Sequence, residues 1–200
     1  MTEVLVSTRE RLLRAAQELI EEGGYSAASV VAIAERAGVA AGTLYRHFDS
    51  KQELFVDLFR SVCAREERAM RAAAEDGGPS GDAVRRLEDV FATFAERALR
   101  NPRLAWALIA EPVDPLVDAE RLAYRERYAA LIAEGLRAGI RARELPDQDV
   151  ALTAAALVGG CGEALVGPLS PAAGGAPASD EIVAALRTFV RRAAGAGAGR

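Results

Sequence analysis

Arg46, His47 and Lys51 crowd three cationic or protonatable side chains into six residues, with only Asp49 set against them. Thr43 and Tyr45 add a hydroxyl and a phenol just ahead of them. The cationic cluster suits phosphate oxygens, which accept charge-assisted hydrogen bonds from Arg and Lys. It does not suit metal chemistry. His47 is the one histidine and Cys63 and Cys161 are the two cysteines, which excludes multi-histidine and four-cysteine zinc sites. There is no second histidine for a proton shuttle, no Gly-rich phosphate loop and no nucleophile elbow. The chain therefore reads as no enzyme, with no metal and no cofactor called for.

The charge balance makes the local patch matter. The 200 residues carry 25 basic and 29 acidic side chains, a net charge of −4, so the whole chain gives no electrostatic reason to attract a polyanion. Residues 1–60 alone hold seven basic and nine acidic side chains. Any attraction must come from the Arg46–Lys51 face. Lys51 is moreover the only lysine in a chain that otherwise uses arginine.

The elements that must position this patch are helices. Alanine, leucine, arginine and glutamate dominate and no β-branched alternation is sustained, so the chain is expected to be all-α with about nine helices. In residues 8–22, Leu12, Ala15, Ala16, Leu19 and Ile20 share one helical face, and Gly23-Gly24 ends the run. Ser29 caps a second, short helix carrying Val30, Ile33, Ala34 and Ala37, closed by Gly38. A third spans residues 41–48. Asp49 or Ser50 caps a fourth, with Leu54, Leu58 and Val62 facing inward, which continues past Cys63 and Met70 to Asp76. Residues 77–81, Gly-Gly-Pro-Ser-Gly, break it. Further helices are expected over 82–100, 102–110, 115–143, 147–166 and 179–194, with a surface loop at 168–178 and a disordered tail at 195–200.

No secretory signal is legible at the N-terminus. No stretch is expected to span a membrane, because Glu163, Gly159, Gly160, Gly162 and Pro168 interrupt the most apolar one, residues 150–169. A cytoplasmic protein with reduced thiols is the expectation.

Residues 29–51 form two short helices joined by a tight turn at Ala37-Gly38-Val39, which is a helix-turn-helix. Its second helix opens on Ala40, Ala41 and Gly42, small enough to let that end enter a major groove. From the first helix through VAIAERAGVAAGTLYRHFDSKQELF, with its Gly-Thr-Leu-Tyr-x-His-Phe-x-x-Lys spacing, the first 60 or so residues resemble the TetR family of bacterial transcriptional regulators. The resemblance implies a three-helix DNA-binding domain over residues 1–50 and a larger ligand-binding and dimerisation domain over 51–194, joined by the long fourth helix. It implies that Thr43 reaches bases or backbone at the groove floor, that Tyr45 and Lys51 bind phosphate, and that His47 contacts phosphate or sugar at the rim. Ala41, Gly42 and Arg46 complete the expected DNA face. Ala41 stands where the family often has a polar side chain, which moves specificity toward shape readout or toward Val30 and Val31 meeting thymine methyls. A plainer reading makes Tyr45 and His47 core-edge residues beside the core positions Leu44 and Phe48.

A dimer would double the DNA site, and the last two helices are the expected interface. Leu152, Ala155, Ala156, Gly159, Gly160 and Gly162 keep one helix slim, and Ile182, Leu186, Phe189 and Val190 put an apolar stripe on the other. The alternative is that Gly159-Gly160 merely breaks a helix before Cys161. Phe91, Phe94, Trp106, Tyr124 and Tyr128 concentrate the aromatics on the middle helices, where they either line a pocket with Thr93 and Glu163 as polar members or fill a core. Cys63 and Cys161 are either a redox pair or buried inert thiols. The function these readings converge on is a homodimeric repressor released from operator DNA by a small, largely apolar inducer. The alternative is a ligand-independent DNA-binding or co-regulatory protein with a filled second domain.

Overall fold

The computed structural model describes residues 7–76, 82–112, 114–172 and 178–195. The breaker at 77–81, residues 173–177 of the expected loop and residues 196–200 of the expected tail lie outside them. The described residues are helical throughout, with no strand: α1 (Thr8–Gly23), a 3-10 turn (Tyr25–Ala27), α2 (Val30–Arg36), α3 (Ala41–Leu44), α4 (Lys51–Glu75), α5 (Ala83–Arg100), α6 (Pro102–Ile109), α7 (Pro115–Arg141), α8 (Val150–Leu169) and α9 (Ser179–Ala193). That is the all-α, nine-helix class read from the sequence.

Side chains start most of these helices. Ser7 and Glu10 make a capping box on α1, with the Ser7 amide donating to the Glu10 carboxylate at 2.8 Å. Ser29 Oγ accepts from the Ala32 amide at 3.1 Å, and Ser50 Oγ from the Glu53 amide at 3.0 Å. Asp149 caps α8, which starts at Val150 and not at the expected 147, accepting from the Leu152 amide at 3.0 Å. α3 is shorter than expected. After Leu44 the chain tightens into a turn in which the Arg46 and His47 amides bond to Thr43 and Leu44, three residues back. α8 is longer than expected and runs through Pro168 to Leu169. Proline crowds the Cβ of the residue before it, and Gly167 has none, so the last helical turn survives.

The chain divides into two compact units, Met1–Val62 with Asn101–Arg121, and Cys63–Arg100 with Leu122–Arg200. The division thus falls inside α4 and inside α7, and α6 belongs with the N-terminal helices. In the first unit, Leu12, Ala16 and Ile20 of α1 are buried with Ile33, Ala34, Leu44, Phe48, Leu54, Phe55 and Leu58. α6 packs on α1. Its C-terminal carbonyls are fastened by the Arg121 guanidinium, which donates to Ala107 at 2.9 Å, Leu108 at 2.8 Å and Glu111 at 2.6 Å.

In the second unit the core is built from Val84, Leu87, Val90, Phe91, Ile132, Leu136, Leu157, Cys161, Leu165 and Val190. Two carboxylates are buried there, and both are paired. Glu88, 5% exposed, meets Arg191 at 2.7 Å, and Glu67, 8% exposed, meets Arg127 at 2.6 Å. Left unpaired, a charge so placed would cost several kcal/mol, on the order of the 3–5 lost when one partner of a buried pair is removed.

Candidate nucleic-acid interface

Gly38 turns the chain between α2 and α3 with φ +67°, the left-handed region where a side chain is strained. The Val39 amide then donates to the Ala34 carbonyl at 2.9 Å. Arg11 of α1 reaches across this turn, its guanidinium donating to the carbonyls of Ala37 and Gly38. Sequence reasoning passed over Arg11, because nothing in local spacing links it to a turn 26 residues away. Leu44 and Phe48 are buried, and they anchor the segment that follows α2.

With those anchors inward, Ala41, Gly42, Tyr45, Arg46 and His47 are exposed, and Thr43 is half-buried. Tyr45 is 58% exposed, an unusual position for a large aromatic, so the core-edge reading does not describe it. A Cβ added at Gly42 would meet nothing within 4 Å, so the start of α3 is open to close approach. Ala40 offers no side-chain cap to the α3 amides.

Lys51 departs from the expected cluster. Its Nζ donates to the Tyr25 carbonyl at 3.2 Å and sits 3.9 Å from the centroid of the Tyr25 ring. Burial pushes the ammonium pKa down, and the negative charge of Glu111 partly offsets this. The exposed polar face is therefore Tyr45, Arg46 and His47, with Arg46 as its cation, and the lysine is turned onto the 3-10 turn. Arg9, another residue the sequence did not single out, lies 4.9 Å from the Phe48 ring and pairs with Asp57.

The residues expected to line a ligand pocket divide between the two units. Trp106 belongs to the first unit, and Phe91, Phe94, Tyr124, Tyr128 and Glu163 to the second. Phe94 and Tyr124 both lie about one ring from Tyr128, at centroid distances of 6.2 and 6.0 Å. Phe91 and Tyr124 are buried as core, and the Tyr128 hydroxyl donates to the Cys63 carbonyl at 3.3 Å. Glu163 is exposed, so it is not a buried carboxylate awaiting a ligand. A cavity of about 240 Å³ does open between α4, α5 and α7, with Leu87, Val90, Leu131, Ile132 and Ala138 on its walls and Arg71, Glu75, Arg86 and Glu134 also lining it. None of the expected pocket residues lines it.

The expected interface stripe on α9 is likewise revised. Ile182, Leu186 and Val190 are buried within their own unit, where α9 packs on α5 and Arg187 reaches Asp89 at 2.6 Å. An amphipathic stripe shows that a face is covered without showing what covers it, and here the protomer's own α5 does. What remains exposed is Leu152 at 68%, Ala155, Ala156, Gly159 and Gly160 on α8, and Phe189 at 42% on α9. The glycine pair does not break α8, which is continuous through it. Gly160 instead makes room for Phe189, whose ring lies 3.1 Å from where a Cβ would stand. α8 is also long and apolar enough to cross a membrane by length and composition, at a mean hydropathy of 1.6 with 22% of the stretch buried, contrary to the expectation that its glycines and Glu163 disqualify it. Both cysteines are buried and free, and burial pushes the Cys161 thiol up to about 12.

Residues 12–58 match the family model for bacterial regulatory proteins of the tetR family. The repressor KstR of Mycolicibacterium smegmatis is 39% identical over 101 residues, an alignment covering 50% of this chain and 48% of that one. The chain thus spans about half the length of the curated relatives it matches. Over nearly the whole fold it superposes on the fatty acid degradation regulator FadR of Bacillus halodurans, with a TM-score of 0.77 at 20% identity, covering 96% of this chain and 97% of that one. FadR of Bacillus subtilis, solved in complex with stearoyl-CoA, gives a TM-score of 0.73 at 22% identity, covering 93% and 97%. At those identities the likeness is one of fold.

Proposed function

We propose, on the premise that residues 12–58 are a regulatory segment of the TetR family, that this chain is a homodimeric DNA-binding repressor released by a small, largely apolar ligand. The observation that carries the DNA-binding part is the exposure of Tyr45, Arg46 and His47, held out by the buried anchors Leu44 and Phe48 beside an open α3 start. In this reading Tyr45, Arg46 and His47 contact phosphate, and Ala41, Gly42 and Thr43 approach the groove floor.

Two such faces, in separate protomers, would read half-sites about 34–36 Å apart, which a dimer must hold in register. The exposed apolar face of α8, with Leu152, Ala156, Gly159 and Gly160, supports its assignment to the partner copy, joined by Phe189. That assignment also accounts for the apolar length of α8 without a membrane, in a cytoplasmic protein.

The cavity between α4, α5 and α7 supports the ligand. Its apolar walls suit an aliphatic body, and its volume of about 240 Å³ is just under the ~300 Å³ at which small-molecule sites begin. An acyl chain, as in the ligand of the Bacillus subtilis structure, would require the cavity to lengthen. The small volume and the buried state of Phe91 and Tyr124 favour a second reading, a regulator that answers to no ligand.

Selection of duplexes from a random-sequence library by the purified chain tests the first part. Enrichment of a two-fold symmetric sequence, lost in Tyr45→Ala, supports the reading. No enrichment overturns it. Thermal shifts with long-chain acyl thioesters and free fatty acids then separate the ligand-released from the ligand-independent regulator.

A further inference from the structure

The first unit contains a chain of polar contacts that the DNA-binding reading does not use. It begins at Arg121, whose side chain is 13% exposed and whose guanidinium donates to the Glu111 carbonyl at 2.6 Å. Glu111, just beyond α6, is thereby fixed in its backbone. Its carboxylate accepts from the Tyr25 amide at 3.3 Å and lies 3.3 Å from where a Cβ on Gly24 would stand. Gly24 has φ +77°, so the backbone there is doubly closed to a side chain and rests directly on the carboxylate. Tyr25 passes the connection on. Its carbonyl and ring face hold the Lys51 ammonium, at 3.2 and 3.9 Å, and its ring meets Phe55 edge-on at 4.7 Å, one turn further along α4.

We propose that Glu111 is a positioning residue for the DNA-binding face: from the end of α6 it holds the Gly24–Tyr25 backbone, which holds Lys51 at the head of α4. This rests on the reading of the chain as a DNA binder. Lys51 is the first residue of α4, and the turn displaying Tyr45, Arg46 and His47 is separated from its Ser50 cap only by Phe48 and Asp49. A shift of α6 therefore reaches that turn through two polar contacts and one ring. In this arrangement the ammonium is committed inward, and Lys51 acts through Tyr25.

The competing view makes Glu111 an ordinary acid of the first unit, and the two views predict opposite signs. Removing a negative charge from a polyanion-binding protein strengthens binding by plain electrostatics. Removing a positioning contact weakens it. With duplexes selected by the wild-type chain, Glu111→Ala is expected to bind about tenfold more weakly, the loss that goes with one charge-assisted hydrogen bond, at an unchanged salt slope. Glu111→Gln, which keeps an acceptor for the Tyr25 amide, is expected to lose less and carries the test if the alanine variant fails to fold.

A second readout needs no DNA. Because Lys51 is the only lysine, protein grown on carbon-13 lysine gives one ε-methylene signal, which the Tyr25 ring current displaces upfield. Glu111→Ala is expected to move it toward the position of free lysine. Equal or tighter DNA binding by Glu111→Ala, tighter binding by Glu111→Gln should the alanine variant fail to fold, or an unmoved lysine signal in folded Glu111→Ala, overturns the proposal. If the wild-type chain enriches no duplex, the DNA-binding reading falls and the proposal falls with it, while the lysine signal still reports whether the contacts exist.

Discussion

Arg46→Ala gives the sharpest test of where the phosphate-binding charge sits. Arg46 is exposed and has no ion-pair partner among the described residues, whereas Lys51 is half-buried on Tyr25 and Arg9 is paired with Asp57. If Arg46 neutralises one phosphate per protomer, a dimer releases two fewer counterions on binding when it is lost. The slope of log K against log salt should then become shallower by about 1.8, at ~0.9 for each contact. Between 50 and 200 mM salt, a fourfold change, that difference amounts to roughly a twelvefold smaller loss of affinity for the variant than for the wild type. Fluorescence anisotropy on one selected duplex at five salt concentrations measures it directly. Lys51→Gln, by contrast, should weaken binding with little change of slope, since its ammonium already has an internal partner. An unchanged slope for Arg46→Ala, or a loss of about 1.8 for Lys51→Gln, would refute the division of labour drawn from the structure.

Other outcomes follow from burial and exposure. Leu152→Glu, on the exposed face of α8, should leave the protomer folded and shift sedimentation from dimer to monomer, while a dimer that persists moves the interface elsewhere. Leu44→Ala removes a fully buried anchor and should cost about 2–5 kcal/mol in urea unfolding, with DNA binding lost along with the turn it supports. Cys161, whose thiol is pushed up to about 12 by burial, binds its proton more tightly folded than unfolded. Its contribution is therefore complete below its ordinary value near 9 and is lost as the pH rises from there toward 12. Cys161→Ala should flatten that alkaline limb of the stability profile, and the wild-type thiol should resist alkylation at pH 8 until the protein is unfolded.

The N-terminal half was largely legible in the order of residues because its signals are local. The Ser29 cap, the Gly38 turn, and the three-to-four-residue spacing of Leu12, Ala16, Leu19 and Ile20 all act within one or two helical turns, and each stands where spacing placed it. The boundary errors have equally local causes. α3 stopped at Leu44 because the chain tightened into a turn, and α8 passed Pro168 because Gly167 spares it a clash. In the C-terminal half, amphipathic spacing identified Ile182, Leu186 and Val190 as covered but named the wrong cover, since a stripe carries no record of its partner. The aromatics of the middle helices likewise divide between the units. Trp106 sits in one unit and Tyr124 in the other, although they are close in sequence and alike in type.

Order of residues alone settled that the chain is helical and where most helices begin, and it raised residues 41–51 as the candidate phosphate-facing segment, since caps, turns and periodicity depend on neighbours a few positions away. Tertiary structure decided the rest. That Lys51 turns inward to Tyr25, that Glu111 reaches the same turn from α6, and that α8 rather than α9 keeps an uncovered apolar face are outcomes of contacts between residues 26, 86 or about 100 positions apart. Such contacts form only where the whole core has closed, and no spacing rule along the chain encodes them.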